Sequence, residues 1–438
     1  MKRLYHNAII VNEGREYPGY VITDGDLIVE VGEGSAPLSG PGCEAIDCRG
    51  GLLMPGAIDT HVHFREPGLT EKADIASESR AALAGGVTSY IDMPNTKPPT
   101  VTVDALDDKM SRAAANSAVN YAFFIGATDS NLDELLAADY RRTAGIKLFL
   151  GSSTGGMLVT DEDALHRLFA SAPAIIAVHA EDERIIAAAR DRLKAEHPEG
   201  IPLAMHPDVR PREACVAATR HAIALAEQTG ARLHVCHIST ADELRIIADA
   251  KARGVRVTAE TCPQYLLFDR TDLNTLGARV KCNPAIKEAS DRIALIRELR
   301  PGGVIDTIAT DHAPHLPAQK EGDALTAASG MPMVQFSLPA MLDLASTDPD
   351  AEGYVTPARV VELMAHAPAR IFGIERRGYI RPGYYADLVL AERLPLPGHK
   401  VSDADVVSRC GWTPLAGRVL GWKVTTLQHT AMPLQFNA

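Results

Sequence analysis

Through the middle of the chain, short apolar runs that read as strands alternate with Ala-rich runs that read as helices. The apolar runs are MPGAIDTHVHF, TSYIDMP, NYAFFIG, GIKLFL, AIIAVHA, RLHVCHI, RVTAETC and VIDTIATD. Between them lie helical runs such as DIASESRAALAGG, DEDALHRLFASA, REACVAATRHAIALAEQTG and DRIALIRELR. This is the rhythm of repeated βα units, and eight strands of this kind are the number that closes a parallel barrel. The two ends have another texture. LYHNAIIV and YVITDGDLIVEVGEG are β-like runs broken by Gly, Asp and Pro turns, and GIERRGYIRPGYYADLVLAE and WKVTTLQHT repeat that pattern after Gly373.

The expected fold is therefore α/β: a TIM-like (β/α)8 barrel over 54–372, with a small β-sandwich domain built from both chain termini, 1–53 plus 373–438. Composition narrows the class of ligand. The 438 residues carry a net charge of -12 and no Lys/Arg block, so neither nucleic acid nor a membrane surface is an expected partner, and a small molecule is. Seven scattered cysteines without a C-x-x-C pair point to reduced thiols. No signal-peptide pattern and no apolar segment of about 18 residues are present, so a cytoplasmic setting is expected.

In such a barrel the chemistry sits at the carboxyl ends of the strands. His61 and His63 in IDTHVHFREPG are two residues apart on a strand and so face the same way. The later ends carry Asn95, Lys147, His179, His237 and Asp311. Each alone has a structural explanation: a core histidine, a helix N-cap, a lysine reaching the rim. Together they converge on one mouth. Imidazole and carboxylate ligands suit zinc, with manganese, cobalt or iron as alternatives. Four histidines and an aspartate are too many for one open tetrahedral site and fit two metals sharing a bridge. Lys147 beside two dications is favoured as the neutral amine, which reacts with carbon dioxide to give a carbamate with two oxygens.

HVHFREPG, GGVTSYIDMPNTKPPT, IKLFL, AVHAED, LHVCHISTA, VTAETCPQYL, KCNPAIK and IATDHAPH together resemble the class I dihydroorotases of the amidohydrolase superfamily. GYIRPGYYADLVL resembles that superfamily's terminal β segment, so the likeness spans nearly the whole chain. It implies reversible cyclisation of N-carbamoyl-L-aspartate to L-dihydroorotate and water, in de novo pyrimidine synthesis. It further implies two zinc ions bridged by carboxylated Lys147, with His61 and His63 on one metal and His179 and His237 on the other. Asp311 becomes a metal ligand and the general base and acid, working with a metal-activated hydroxide. His234 is left as structural, and His206 is left out.

The same resemblance makes Arg65, Asn95, Asn283 and His315 substrate-binding, and puts a last contact near Ser329 and Gly330 in AASGMP, a segment that departs from the family form. Some members of the family bridge the metals with an aspartate after the fourth strand. Here that loop is GSSTGGM, without a carboxylate, which favours the lysine. That loop and the stretch from Lys320 to Gly330 are the candidates for movement over the site. A guanidinium fork at Arg65 matches the carboxylate that distinguishes dihydroorotate from a plain dihydropyrimidine. Glu66 is expected either to pair with Arg65 or to stand in solvent. Allantoinase-like sequences resemble HVHFNEPG, with Asn in place of Arg65. An allantoinase, a dihydropyrimidinase/hydantoinase, or a catalytically silent partner of another pyrimidine enzyme are the alternatives. A homodimer is the expected assembly.

Overall fold

The computed structural model describes residues 1–37, 40–151, 156–345 and 355–437. Strands β1 (Lys2–Asn12), β2 (Arg15–Asp24) and β3 (Leu27–Glu33) form an antiparallel meander. β4 (Cys43–Asp47) and β5 (Leu52–Pro55) each run parallel to a different half of β1. Their inward positions, among them Tyr5, Ile10, Val21, Ile28 and Leu53, make a core separate from the rest of the molecule.

The barrel strands follow: β6 (Ala57–Val62), β7 (Val87–Asp92), β8 (Asn120–Phe123), β9 (Ile125–Gly126), β10 (Ile146–Phe149), β11 (Ile176–His179), β12 (Leu233–Val235), β13 (Val257–Thr261) and β14 (Thr307–Ile308). β8 and β9 are one apolar run, NYAFFIG, interrupted at Phe124. β6 to β8 pair in parallel, as do β9 to β14, and a parallel bridge from Val62 to His312 joins the first strand to the segment after the last. This is the TIM-like barrel. Every residue of β6, β7, β8, β10, β11 and β12 is buried, because helices cover one face and the packed interior the other. Hence these strands read as unbroken apolar runs rather than alternating ones.

The helix over Ile75–Ala84 starts at Asp74, whose carboxylate accepts from Ser77 N, and ends at Gly85. The other helical runs quoted above form helices over Glu162–Ser171, Arg212–Thr229 and Ala289–Arg297. Among the described residues, no helix is long and apolar enough to cross a membrane.

The chain end returns to the first sheet. β15 (Leu388–Arg393) pairs antiparallel with β5, and β18 (Trp422–Gln428) pairs with β15, so both ends share one seven-stranded sheet. A buried ion pair between Arg377 and Asp387, with Asn120 Nδ2 donating to the same carboxylate, ties that sheet to β8. Between the two strands, β16 (His399–Lys400) and β17 (Val419–Leu420) pair with each other. The loop they bracket lies on the barrel instead of in the sheet: Ser408 Oγ donates to Glu78, and Trp412 Nε1 donates to the carbonyl of His315 at 2.7 Å. Sequence texture placed all of 373–438 in the terminal domain, and this loop departs from it because its polar and aromatic side chains find partners at the barrel mouth.

Candidate active site

His61, His63, Arg65, Asn95, Lys147, His179, His237, Asn283, Asp311, His315, Ser329 and Gly330 all line one cleft of about 520 Å³. Parallel strands deliver the first of these to a common rim, since His61 lies in β6, Lys147 in β10 and His179 at the end of β11. His237 and Asp311 follow β12 and β14, and both have left-handed backbone, at φ 40° and 47°. Arg65 does too, at 69°. Three non-glycine residues held in that region within one cleft mark strain that the surrounding packing sustains.

The imidazoles are held from behind. His61 Nδ1 lies 2.8 Å from Glu260 Oε1, and Glu260 also meets His234 Nε2, Thr60 Oγ1 and the His237 amide. Burial alone would push the Glu260 carboxyl up, but these imidazoles hold it well below the usual carboxylate range. The partner of His63 Nδ1 is Asn95 Oδ1, at 2.8 Å. His179 Nε2 is 2.9 Å from Glu181 Oε2, and Arg210 forks onto the same carboxylate. Each anchored ring therefore turns its other nitrogen inward. Nε2 of His61 and of His63 lie 3.4 and 3.0 Å from Asp311 Oδ1, and His179 Nδ1 faces His237 Nε2 at 2.9 Å.

These groups fit a metal. The ligand atoms of His61, His63 and Asp311 lie within 4.8 Å of one another. Burial holds His63 and His237 well below the ordinary histidine range, which keeps their nitrogen lone pairs free. Lys147 is fully buried, and its Nζ donates to Cys236 Sγ at 3.1 Å, with no carboxylate within ion-pair distance among the described residues. An unpaired buried ammonium is costly, whereas a neutral amine or its carbamate would suit the spot. Asp311 is pushed up by burial, countered by His61 and Lys147.

Around this cluster Arg65 and Lys281 line the cleft, with Lys320 behind its wall; burial lowers Arg65 to about 10, Lys281 to about 8 and Lys320 to about 7. Arg65 Nε donates to the Pro314 carbonyl at 3.1 Å, and its Nη2 lies 3.1 Å from His315 Nε2. Ser329 presents its carbonyl to that same nitrogen at 3.0 Å.

Several roles differ from expectation. Asn95 spends its amide oxygen on orienting His63 and leaves only its NH2 to the cleft. Glu66 does not pair with Arg65: it accepts from the Ile75 amide at the start of a helix and faces Arg112. His206, set aside as a loop residue, is buried in the cleft wall with Nδ1 unpartnered. Burial, with Lys281 and Arg210 nearby, holds it well below the ordinary range. Glu260, Glu181 and Arg210 were not anticipated. His234, read as structural, lies outside the cleft between Thr258 and Glu260. In GSSTGGM, residues 152–155 lie outside the described residues.

Residues 52–411 match the amidohydrolase family. A dihydroorotase of Halobacterium salinarum is 39% identical over 379 residues, covering 86% of this chain and 84% of that protein. An allantoinase of Rubrobacter xylanophilus is 34% identical over 427 residues, with 95% and 90% covered. Among solved structures, an L-hydantoinase (dihydropyrimidinase) from Arthrobacter aurescens superposes with a TM-score of 0.90 at 27% identity, covering 100% of this chain and 97% of that one.

Proposed function

Because the chain belongs to the amidohydrolase family, a family of metal-dependent hydrolases with cyclic amidohydrolases among this chain's relatives, we propose that it is a dihydroorotase. It interconverts L-dihydroorotate and N-carbamoyl-L-aspartate. The observation that carries this reading is Arg65, a guanidinium 6% exposed that no carboxylate pairs with among the described residues. Lys72 Nζ, 3.4 Å from His315 Nδ1, can only donate, so the His315 proton sits on Nε2 and goes to the Ser329 carbonyl. Arg65 Nη2 then meets a donor, and among the described residues only the guanidinium's Nε–H has a protein acceptor. A buried cation of this kind calls for an anion from the ligand. Dihydroorotate carries a ring carboxylate, whereas allantoin and dihydrouracil do not.

Two zinc ions would be held by His61, His63, His179, His237 and Asp311, with carboxylated Lys147 between them. When bound, they polarise the ring carbonyl and bring water's pKa down towards neutrality. The protein does the rest. Asp311, placed against both His61 and His63, takes the proton released as water adds and returns it to the departing ring nitrogen. Asn283 Oδ1, buried without a partner in the cleft wall, accepts a ring N–H. Arg65 and the Asn95 NH2 receive the carboxylate.

A steady-state comparison of dihydroorotate, allantoin and dihydrouracil on one metal-replete preparation tests the reading. Dihydroorotate is expected to have the highest kcat/KM. Preference for either uncharged ring, or no turnover of any, would overturn it.

A further inference from the structure

We infer that Lys320 and Trp412, neither of which lines the cleft, are positioning residues that hold its carboxylate-facing wall and so set substrate affinity. Naming the ligand of that wall as a carboxylate rests on the proposed function. The positioning itself rests on contacts. The wall segment 327–330 contributes a row of backbone carbonyls, and the side chains around it take them up one by one. Lys281 Nζ donates to the Ala327 carbonyl, and His315 Nε2 to that of Ser329. Lys320 Nζ donates to Ala328 O at 2.6 Å and Gly330 O at 2.8 Å, and its third N–H goes to Lys281 O at 3.1 Å. One ammonium thus joins the segment that leads to Asn283 with the segment that touches His315.

Trp412 closes the arrangement from outside the barrel. Its ring lies 5.6 Å from Lys320 Nζ, within cation–π range, and its Nε1 donates to the carbonyl of His315. The wall has no slack. Gly330 has φ 138°, and a Cβ there would fall 2.6 Å from the Ala313 carbonyl and 3.0 Å from His315 Cδ2. A shift of this segment therefore displaces His315, and with it the donor that faces Arg65. Among the described residues, Lys320 Nζ has only backbone carbonyls as hydrogen-bond acceptors, so its hold on the wall brings no negative charge to it.

The test uses full-length, metal-replete enzyme. Lys320→Met is expected to raise KM for dihydroorotate about tenfold while kcat stays within about threefold and bound metal is unchanged. Trp412→Phe keeps the ring and loses the N–H, with a smaller rise in KM. Amide exchange at Ala328 and Gly330, which donate to Gln319 O and Lys281 O, is expected to quicken in Lys320→Met. Unchanged KM with unchanged exchange overturns the inference, as does a fall in kcat that tracks loss of metal. Should Lys320→Met not fold, Trp412→Phe decides through KM and exchange. If wild-type enzyme prefers an uncharged ring, the dihydroorotase reading falls, and exchange at these two amides still decides the positioning role.

Discussion

On the ligand side of the cleft, carboxylates stand behind the imidazoles: Glu260 behind His61 and Glu181 behind His179, the latter itself clamped by Arg210. On the Arg65 side no carboxylate among the described residues takes that place, and the backbone carbonyls of Pro314 and of 327–330 hold Arg65, His315, Lys281 and Lys320. The contrast fits what each side would do in the proposed reaction. A carboxylate accepting an imidazole N–H fixes the tautomer and raises the basicity of the other nitrogen, which favours a cation in front of it. The same carboxylate beside Arg65 would neutralise the guanidinium and compete with an anionic substrate, whereas a neutral carbonyl orients it and leaves its charge available.

The contrast is broken most severely at Lys147, the proposed bridge. Lys147→Ala should reduce kcat by at least about 10³-fold, the several kcal/mol that such a centre contributes, and short carboxylic acids should restore part of it. Undiminished activity in that variant removes the bridge. On the other side, Arg65→Met should cost about 2 to 3 kcal/mol in kcat/KM for dihydroorotate, roughly 30- to 150-fold, with bound metal preserved. Loss of metal together with activity would mean that the two sides are not separate. The smallest of the three effects sharpens the division from behind: Glu260→Gln should weaken metal affinity about 10- to 100-fold and leave KM for dihydroorotate nearly unchanged once metal is saturating. Metal titration followed by kinetics at saturation distinguishes this from a general loss of folding.

The ligand-type residues were legible because each lies at or just past a strand end in a short motif: His61 and His63 in THVHF, His179 in AVHAED, Asp311 in ATDHAPH. Their supports were not. Glu260 reads as an ordinary residue of RVTAETC, and only the closed ring of strands carries it to 2.8 Å from His61, 199 positions away in the chain. His206 sits in a stretch without strand or helix periodicity, and nothing local shows that its ring enters the cleft wall. Glu66 adjoins Arg65 in sequence but turns to cap a helix, because the left-handed backbone at Arg65 separates the directions of the two side chains.

By itself, the sequence determined the element types, the parallel barrel with a β domain drawn from both chain ends, and the donor chemistry at the strand ends, while the single seven-stranded sheet of that domain came from the structure. The first three depend on local periodicity and residue type, which neighbours along the chain already express. Only the tertiary structure decided which nitrogen of each ring faces inward, which cations lack a carboxylate, and that a loop near residue 412 braces the wall beside His315. Those are relations between side chains far apart in sequence, and they exist only once barrel closure and burial have fixed distances and removed water as the alternative partner.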